Sequence, residues 1–252
     1  MRGDVSYHAS MSPAPDSAAV VTGAGSGIGA ATARQLAAGG ARVVVVDINE
    51  EGGKAIAEQT GGTFVGVSVG EVDAWPRIIE AAKGVIGLAH LNAGVVTTQL
   101  GYAFENVTPD LYRRLMTTNV DGVVFGIQAL IPAMTARGRG AIVVTSSLAG
   151  LVPLPEDPLY TASKHALIGL VRSLAPQLEA KGITINAVCP GNTDTGLVDF
   201  LGNRARAAQL NLMDPSEVAD AVIACLQGTD TGKAFTVLPG RGYREYEFRG
   251  LS

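Results

Sequence analysis

Short apolar runs rich in β-branched residues alternate along this chain with longer segments whose apolar positions recur at helical spacing. Runs at 18–22, 42–46, 63–67, 85–91, 141–145, 183–188 and 234–238 have strand length and few polar interruptions, the pattern of strands covered on both faces. The segments 28–38, 51–58, 73–83, 109–134, 160–181 and 215–227 between them are expected to be helices. Thr108-Pro-Asp and Asp214-Pro-Ser-Glu each set a capping residue before a proline suited to the first helical position. Pro176 falls inside a helical segment and predicts a bend there. Strand–helix alternation of this kind predicts an α/β fold: a doubly wound, Rossmann-type domain with a seven-stranded parallel sheet flanked by helices. The domain is expected over 17–252, after a polar, proline-containing extension at 1–16 that lacks the apolar core of a signal peptide.

Composition narrows the function classes. The 252 residues are 47% apolar and only 17% charged, which suits one large packed core. A net charge of -4 leaves no nucleic-acid footprint, and no stretch approaches the roughly 18 continuous apolar residues of a membrane span. Cys189 and Cys225 have no metal-ligand spacing and read as buried, reduced thiols in a cytoplasmic protein, with no metal expected. The 32 glycines follow no collagen-like period and should mark tight turns and close backbone approaches.

The densest glycine cluster, Val20-Val-Thr-Gly-Ala-Gly-Ser-Gly-Ile-Gly29, joins the first strand to the first helix. Gly23, Gly27 and Gly29, with Gly25 in addition, allow a sharp turn and close approach of a pyrophosphate to the helix N-terminus. A plain tight turn is the alternative. Asp47 follows the second strand, where a carboxylate can accept both ribose hydroxyls of adenosine and repels a 2′-phosphate. Neither Ser26 nor Ile48 is the basic side chain a 2′-phosphate needs, so NAD is expected over NADP. A strand-end turn residue is the plainer reading of Asp47.

Tyr160-Thr-Ala-Ser-Lys164 places a phenol and an ammonium on one helical face. A nearby positive charge favours phenolate and predicts a lowered tyrosine pKa suited to acid/base work. Ser146-Ser147 closes the fifth strand, at the strand end where open α/β sheets bind ligands. Alone, Tyr-x-x-x-Lys is a common solvated helical pair. Its place after the serines and the glycine loop gives it weight.

Over about residues 17–240 the sequence resembles the short-chain dehydrogenase/reductase family. The resemblance rests on Thr22-Gly-x-x-x-Gly-Ile-Gly29, Asn92-Ala-Gly94, Ser147, Tyr160-x-x-x-Lys164, and Pro190-Gly191 continuing to Thr195. It implies that Tyr160 is the general acid/base and that Lys164 holds the nicotinamide ribose. It implies that Ser147 binds the substrate oxygen and that Asn119 supports a water-linked proton path. It places Gly23, Ser26, Gly27, Ile28, Gly29, Asp47, Ser68, Val69, Asn92, Ala93, Gly94, Pro190, Gly191, Thr193 and Thr195 around the cofactor, with Tyr160 and Lys164. Ser68-Val69 stands where the family usually has Asp-Val, Leu91-Asn92 where it has two asparagines, and the third helix is expected to be short.

These features predict an oxidoreductase passing a hydride between NAD and a small secondary alcohol or ketone, as a homodimer or homotetramer. The alternatives are an NADP-linked ketone reductase, a non-catalytic dinucleotide-binding regulator, and a methyltransferase with a similar glycine loop. The last leaves the tyrosine–lysine pair unexplained. His90 is expected to be a packed or hydrogen-bonded core residue and His165 structural. Glu156 and Asp157 are either solvated or recognise polar groups on a substrate. Residues 196–213, with Leu197, Val198, Phe200 and Leu201, are expected to form a lid over the substrate.

Overall fold

The computed structural model describes residues 17–97, 101–195 and 211–249. The extension at 1–16 and the expected lid side chains Leu197, Val198, Phe200 and Leu201 lie outside the described residues.

The first half alternates β1 (Ala18–Thr22), α1 (Gly27–Ala38), β2 (Arg42–Asp47), α2 (Glu50–Thr60), β3 (Thr63–Gly66), α3 (Ala74–Ala81) and β4 (Ile86–Leu91). Next come α4 (Pro109–Met116), a five-residue π-type turn at Thr117–Asp121, α5 (Gly122–Ala136) and β5 (Gly140–Thr145). The described chain continues through α6 (Pro158–Glu179), β6 (Ile183–Pro190), α7 (Pro215–Gln227), β7 (Ala234–Leu238) and β8 (Gly242–Glu245). The strands form one sheet in the order β3-β2-β1-β4-β5-β6-β7-β8. β1 through β7 pair in parallel, with Val20 beside Val44 on one side and Ala89 on the other.

Alternation along each strand divides the core. Ala18 and Val20 of β1 join Val44, Ile142 and Ile185 in one layer, which packs on α3, α5 and α6. Ala19 and Val21 join Val43, Val143 and Val188 in the other, which packs on α1, α2 and α7. Each fully buried aliphatic side chain stabilises by roughly 1.5–3 kcal/mol relative to exposure, which favours strands that are apolar on both faces. The expected caps are present: Thr108 Oγ1 accepts from Leu111 N at 3.2 Å, and Asp214 forms a capping box with Glu217.

The structure departs from expectation in three places. β8 makes the sheet eight-stranded, pairing antiparallel with β7, so that Tyr243 lies beside Val237. Its four residues are exposed, and an edge strand that buries neither face leaves no apolar run to read. The expected single helix at 109–134 is divided by the π-type turn. There Gly70 and Gly122 press the turn and the chain after β3 together so closely that a Cβ at Gly70 would stand 2.4 Å from Thr117 Cγ2. α6 extends one turn past Pro176, the position at which a bend is expected because the missing N–H cannot bond the carbonyl four residues earlier. Finally, Pro109–Ala136 contains an 18-residue window of mean hydropathy 1.2, long and apolar enough to cross a membrane by composition. Its apolarity is used in packing: Val123, Ile127, Leu130 and Met134 are buried against the sheet.

Because β1 and β4 are neighbours while β2 and β5 continue in opposite directions, the topological switch point falls between them. Ligand crevices open at the carboxyl ends of such strands. Thr22, Asp47, Leu91, Thr145 and Pro190 end their strands on that edge.

Candidate active site

The glycine loop is shaped by contacts that no side chain could share. A Cβ on Gly29 would lie 2.1 Å from the Gly23 carbonyl oxygen. Gly23 and Gly27 adopt φ of 63° and 51°, and a Cβ on them would stand 2.8 Å from Ala93 Cα and 2.9 Å from Thr195 Cγ2. Ser26 is the N-cap of α1 and makes no side-chain cap bond. The first-turn N–H groups, which have no intrahelical acceptor, are therefore available to an anion. Ile28 turns its side chain into the packing beneath α1. These features fit a pyrophosphate.

Asp47 Oδ2 accepts from Gly25 N at 2.7 Å, and Oδ1 accepts from Asn49 N at 2.8 Å. Gly25 thus serves the carboxylate rather than the phosphate site. Each oxygen keeps a lone pair for a ribose hydroxyl. Ile48 projects beside it, 74% exposed. Val69, expected at the adenine, instead buries its side chain against Gly122, while its carbonyl accepts from the Trp75 indole at 3.0 Å. Ser68 next to it is half-buried, and its carbonyl accepts from Glu71 N.

The end of β4 is tied to the loop by a polar chain that sequence reasoning passed over. Thr22 Oγ1 accepts from Asn92 N and Ala93 N at 2.9 and 3.1 Å. Asn92 Nδ2 donates to the Thr22 and Gly23 carbonyls, and Asn92 Oδ1 accepts from Thr145 Oγ1 at 3.1 Å. His90, fully buried, completes it with Nε2 2.7 Å from Thr145 Oγ1. Since the Thr145 hydroxyl donates to Asn92, the His90 Nε2–H is the donor in that pair. Burial holds this imidazole neutral, with its pKa down to about 3. The core role expected of His90 is the one observed. His165 is exposed, with Nδ1 3.0 Å from the Thr161 carbonyl.

Asn119, on the π-type turn, is wholly buried. Its Oδ1 accepts from Val95 N at 2.8 Å, and its Nδ2 donates to the Val95 carbonyl and to Ser163 Oγ. The wider turn carries this amide on a buried face that also meets α6. Gly94 lies beside it, where a Cβ would stand 3.3 Å from Lys164 Nζ and 3.4 Å from Asn119 Oδ1.

Tyr160 and Lys164 share a face of α6, with the ammonium 5.6 Å from the phenol ring centroid. Lys164 Nζ donates to the Thr145 carbonyl at 2.9 Å, and Ser146 Oγ donates to the Lys164 carbonyl at 3.0 Å. The Ser147 side chain lies close enough to the phenol to favour its ionised form. Its oxygen accepts from Ala149 N at 3.1 Å, capping a short 3-10 turn. The lowered phenol pKa expected from the lysine is reversed. Burial pushes Tyr160 up to about 12, with Asp157 and Cys189 adding to the rise and Ser147 opposing it. Burial also pulls Lys164 down to about 8. Desolvation penalises both charged forms, and the ammonium points at a carbonyl instead of the phenol oxygen.

Cys189, at the end of β6, lies beside Ser146 and Ser147, and burial raises its thiol to about 12. Cys225 is also buried and free. Gly191 follows Pro190 and donates to the Val237 carbonyl. Thr193 is buried, bridged to Met213, with Oγ1 donating to the Gly191 carbonyl at 3.1 Å. Thr195 faces Gly27. The described structure therefore gathers the glycine loop, Asp47, Asn92, Gly94, Ser147, Tyr160, Lys164 and Thr195 along one sheet edge, and takes the side chains of Ile28 and Val69 out of it. Thr22, Thr145 and Ser163 are supporting residues whose signal was only a short hydroxyl beside a motif. Among the described residues, no cluster suited to a metal ion occurs.

Residues 17–206 match the family model described as short chain dehydrogenase. A cyclohexanol dehydrogenase of Acinetobacter sp. (strain SE19) is 34% identical over 87% of this chain and 92% of its own length. A 3-alpha-(or 20-beta)-hydroxysteroid dehydrogenase of Mycobacterium bovis is 32% identical over 81% of this chain and 80% of its own. Among solved structures, a 3-ketoacyl-(acyl-carrier-protein) reductase from Brucella melitensis complexed with NADH superimposes with TM-score 0.83 at 27% identity, covering 89% of this chain and 98% of that one.

Proposed function

The chain belongs to the short-chain dehydrogenase family, an oxidoreductase family acting on CH–OH groups, and from that premise we propose that it is an NAD-dependent dehydrogenase interconverting ring-borne secondary alcohols and their ketones. The observation that carries this reading is the buried Tyr160 phenol, with the Lys164 ammonium 5.6 Å from its ring and Ser147 close by, at the carboxyl edge of the sheet. The nicotinamide, when bound, takes or gives the hydride.

The protein's own groups then have separable tasks. Ser147 holds the substrate oxygen next to the phenol. Tyr160 removes the alcohol proton in oxidation and donates it in reduction. Its raised pKa keeps it a ready donor at neutral pH and makes alcohol oxidation the alkaline direction. Lys164 holds the nicotinamide ribose. Asn119, whose amide is committed to Val95 and Ser163, supports the wall beside Lys164 rather than passing a proton through its side chain. Asp47 selects NAD by accepting ribose hydroxyls and repelling a 2′-phosphate. The ring preference follows the cyclohexanol and hydroxysteroid dehydrogenases among the relatives. The half-covered apolar helix 109–136, with Phe125 and Ile131 only partly buried, supports a homodimer or homotetramer formed on that face.

The test is a screen of cyclohexanol, a hydroxysteroid and a linear secondary alcohol with NAD and with NADP, read by nicotinamide absorbance. Turnover of a ring alcohol with NAD is the expected outcome. Faster turnover with NADP would overturn the Asp47 assignment, and no turnover of any alcohol or its ketone would overturn the function.

A further inference from the structure

Asp157 is the buried acid for which the reaction above has no use. It is the N-cap of α6, ahead of Pro158, and only 1% exposed. Its Oδ1 accepts from Tyr160 N at 3.1 Å and from the Tyr102 hydroxyl at 3.2 Å. Its Oδ2 accepts from Thr97 N at 3.1 Å and from Thr97 Oγ1 at 2.6 Å. Those bonds occupy the roughly four acceptor sites of a carboxylate, which leaves none for solvent or for a substrate group. Glu156 is exposed, and its main chain adds to the same junction by accepting from Gly101 N at 2.8 Å. The Tyr102 hydroxyl in turn accepts from Leu159 N at 3.2 Å. Neither reading of this acidic pair made from sequence survives for Asp157, which is neither solvated nor open to a ligand.

We propose that Asp157 is a positioning residue for proton transfer at Tyr160: it fastens Thr97 and Tyr102 to the first turn of α6 and sets a negative charge at the buried N-terminus of the helix that carries the phenol. This rests on the acid/base role given to Tyr160. The four donors to Asp157 are dipoles and the N-terminus of α6 offers only a partial positive charge, so among the described residues no full cation neutralises the carboxylate. The other titratable groups facing the phenol are Lys164, from α6, and Cys189, from β6. Cys189 is held neutral by burial, and the Lys164 ammonium is turned to the Thr145 carbonyl, which leaves Asp157 as the carboxylate that acts on the phenol. A carboxylate beside a phenol disfavours the phenolate, in line with its contribution to the raised value of Tyr160. The carboxylate thus adds to the effect of burial in keeping the phenol protonated, the form that donates a proton to a ketone.

The experiment measures kcat/KM for cyclohexanol with NAD across pH in the full chain and in four variants. Asp157→Ser keeps a capping oxygen for Tyr160 N while removing the charge, and Asp157→Asn is its near-isosteric counterpart. Both should move the midpoint of the rising limb to lower pH by about one unit. Thr97→Val and Tyr102→Phe keep the charge and remove fastenings. They should lower kcat/KM several-fold and leave the midpoint in place. An unchanged midpoint in Asp157→Ser, or an equal shift in the charge-preserving variants, overturns the electrostatic role. Unchanged kcat/KM in Thr97→Val and Tyr102→Phe overturns the fastening role, even if neither Asp157 variant folds. Tyr160→Phe run alongside separates the two levels: if it retains turnover, the acid/base reading has failed, whatever the Asp157 variants do.

Discussion

The ammonium of Lys164 donates to the main-chain carbonyl of Thr145 at 2.9 Å, so the cation of the Tyr-x-x-x-Lys pair is anchored to the end of β5. Anchoring a fully buried charge has a stability consequence. The unfolded chain keeps this proton up to the ordinary value of 10.5, the folded chain only up to about 8. Between those values the unfolded state binds more protons, so stability rises with pH, and below pH 8 the buried charge costs on the order of 3 kcal/mol. Lys164→Met should therefore be inactive yet more heat-stable at pH 7, with its advantage shrinking towards pH 10.5. Thermal melts of both proteins across that range check this, and a pH-independent difference would count against it.

Tyr160→Phe removes one hydroxyl from a residue that is 9% exposed. The ring still fills its place, so the fold and NAD affinity should be nearly unchanged. Turnover should fall by at least about 10²-fold, as expected when a positioned acid/base is lost. Calorimetric NAD titration beside steady-state rates gives the answer. Retained turnover would remove Tyr160 from the chemistry.

Asp47 has two jobs, one toward the ribose and one toward Gly25 N and Asn49 N. Asp47→Ala should weaken NAD by roughly tenfold or more, since two charge-assisted hydrogen bonds to the loop vanish with the ribose contacts. It should also raise NADP efficiency relative to NAD. Comparing kcat/KM for the two cofactors measures both effects, and an unaltered NADP/NAD ratio would show that the carboxylate does not select.

Asn119→Ala would strand the Val95 N–H and carbonyl and deprive Ser163 of a donor, all within buried surroundings. Unpaired buried groups cost about 1–3 kcal/mol each, so a loss of roughly 3 kcal/mol and a Tm lower by on the order of 10 °C are expected. Activity should fall with it, because Val95 follows Gly94 on the wall beside Lys164. An unchanged Tm would mean that water replaces the amide without penalty.

The order of strands and helices was legible because apolar period and length report directly on burial, and each parallel strand is buried on both faces. The glycine loop, Asp47, Ser147, Tyr160 and Lys164 were legible because their spacing is itself the constraint that the chemistry imposes. β8 was not, since an exposed edge strand carries no apolar signature. The π-type turn at Thr117–Asp121 was not, because it is set by Gly70 and Gly122 closing on neighbours distant in the chain.

Sequence alone therefore determined the family, the alternation of seven parallel strands with helices, and the motif residues from which the candidate site is built. Tertiary structure alone decided the state of those residues. Burial sends the Tyr160 phenol up and the Lys164 ammonium down, where spacing predicted a lowered phenol. It turns Asp157 from a loop acid into a saturated carboxylate at the N-terminus of the helix that carries the phenol, and His90 into the neutral end of a hydrogen-bond chain reaching Gly23. Proton affinity depends on desolvation and on charges brought close through space, and neither quantity is written in the order of residues along the chain.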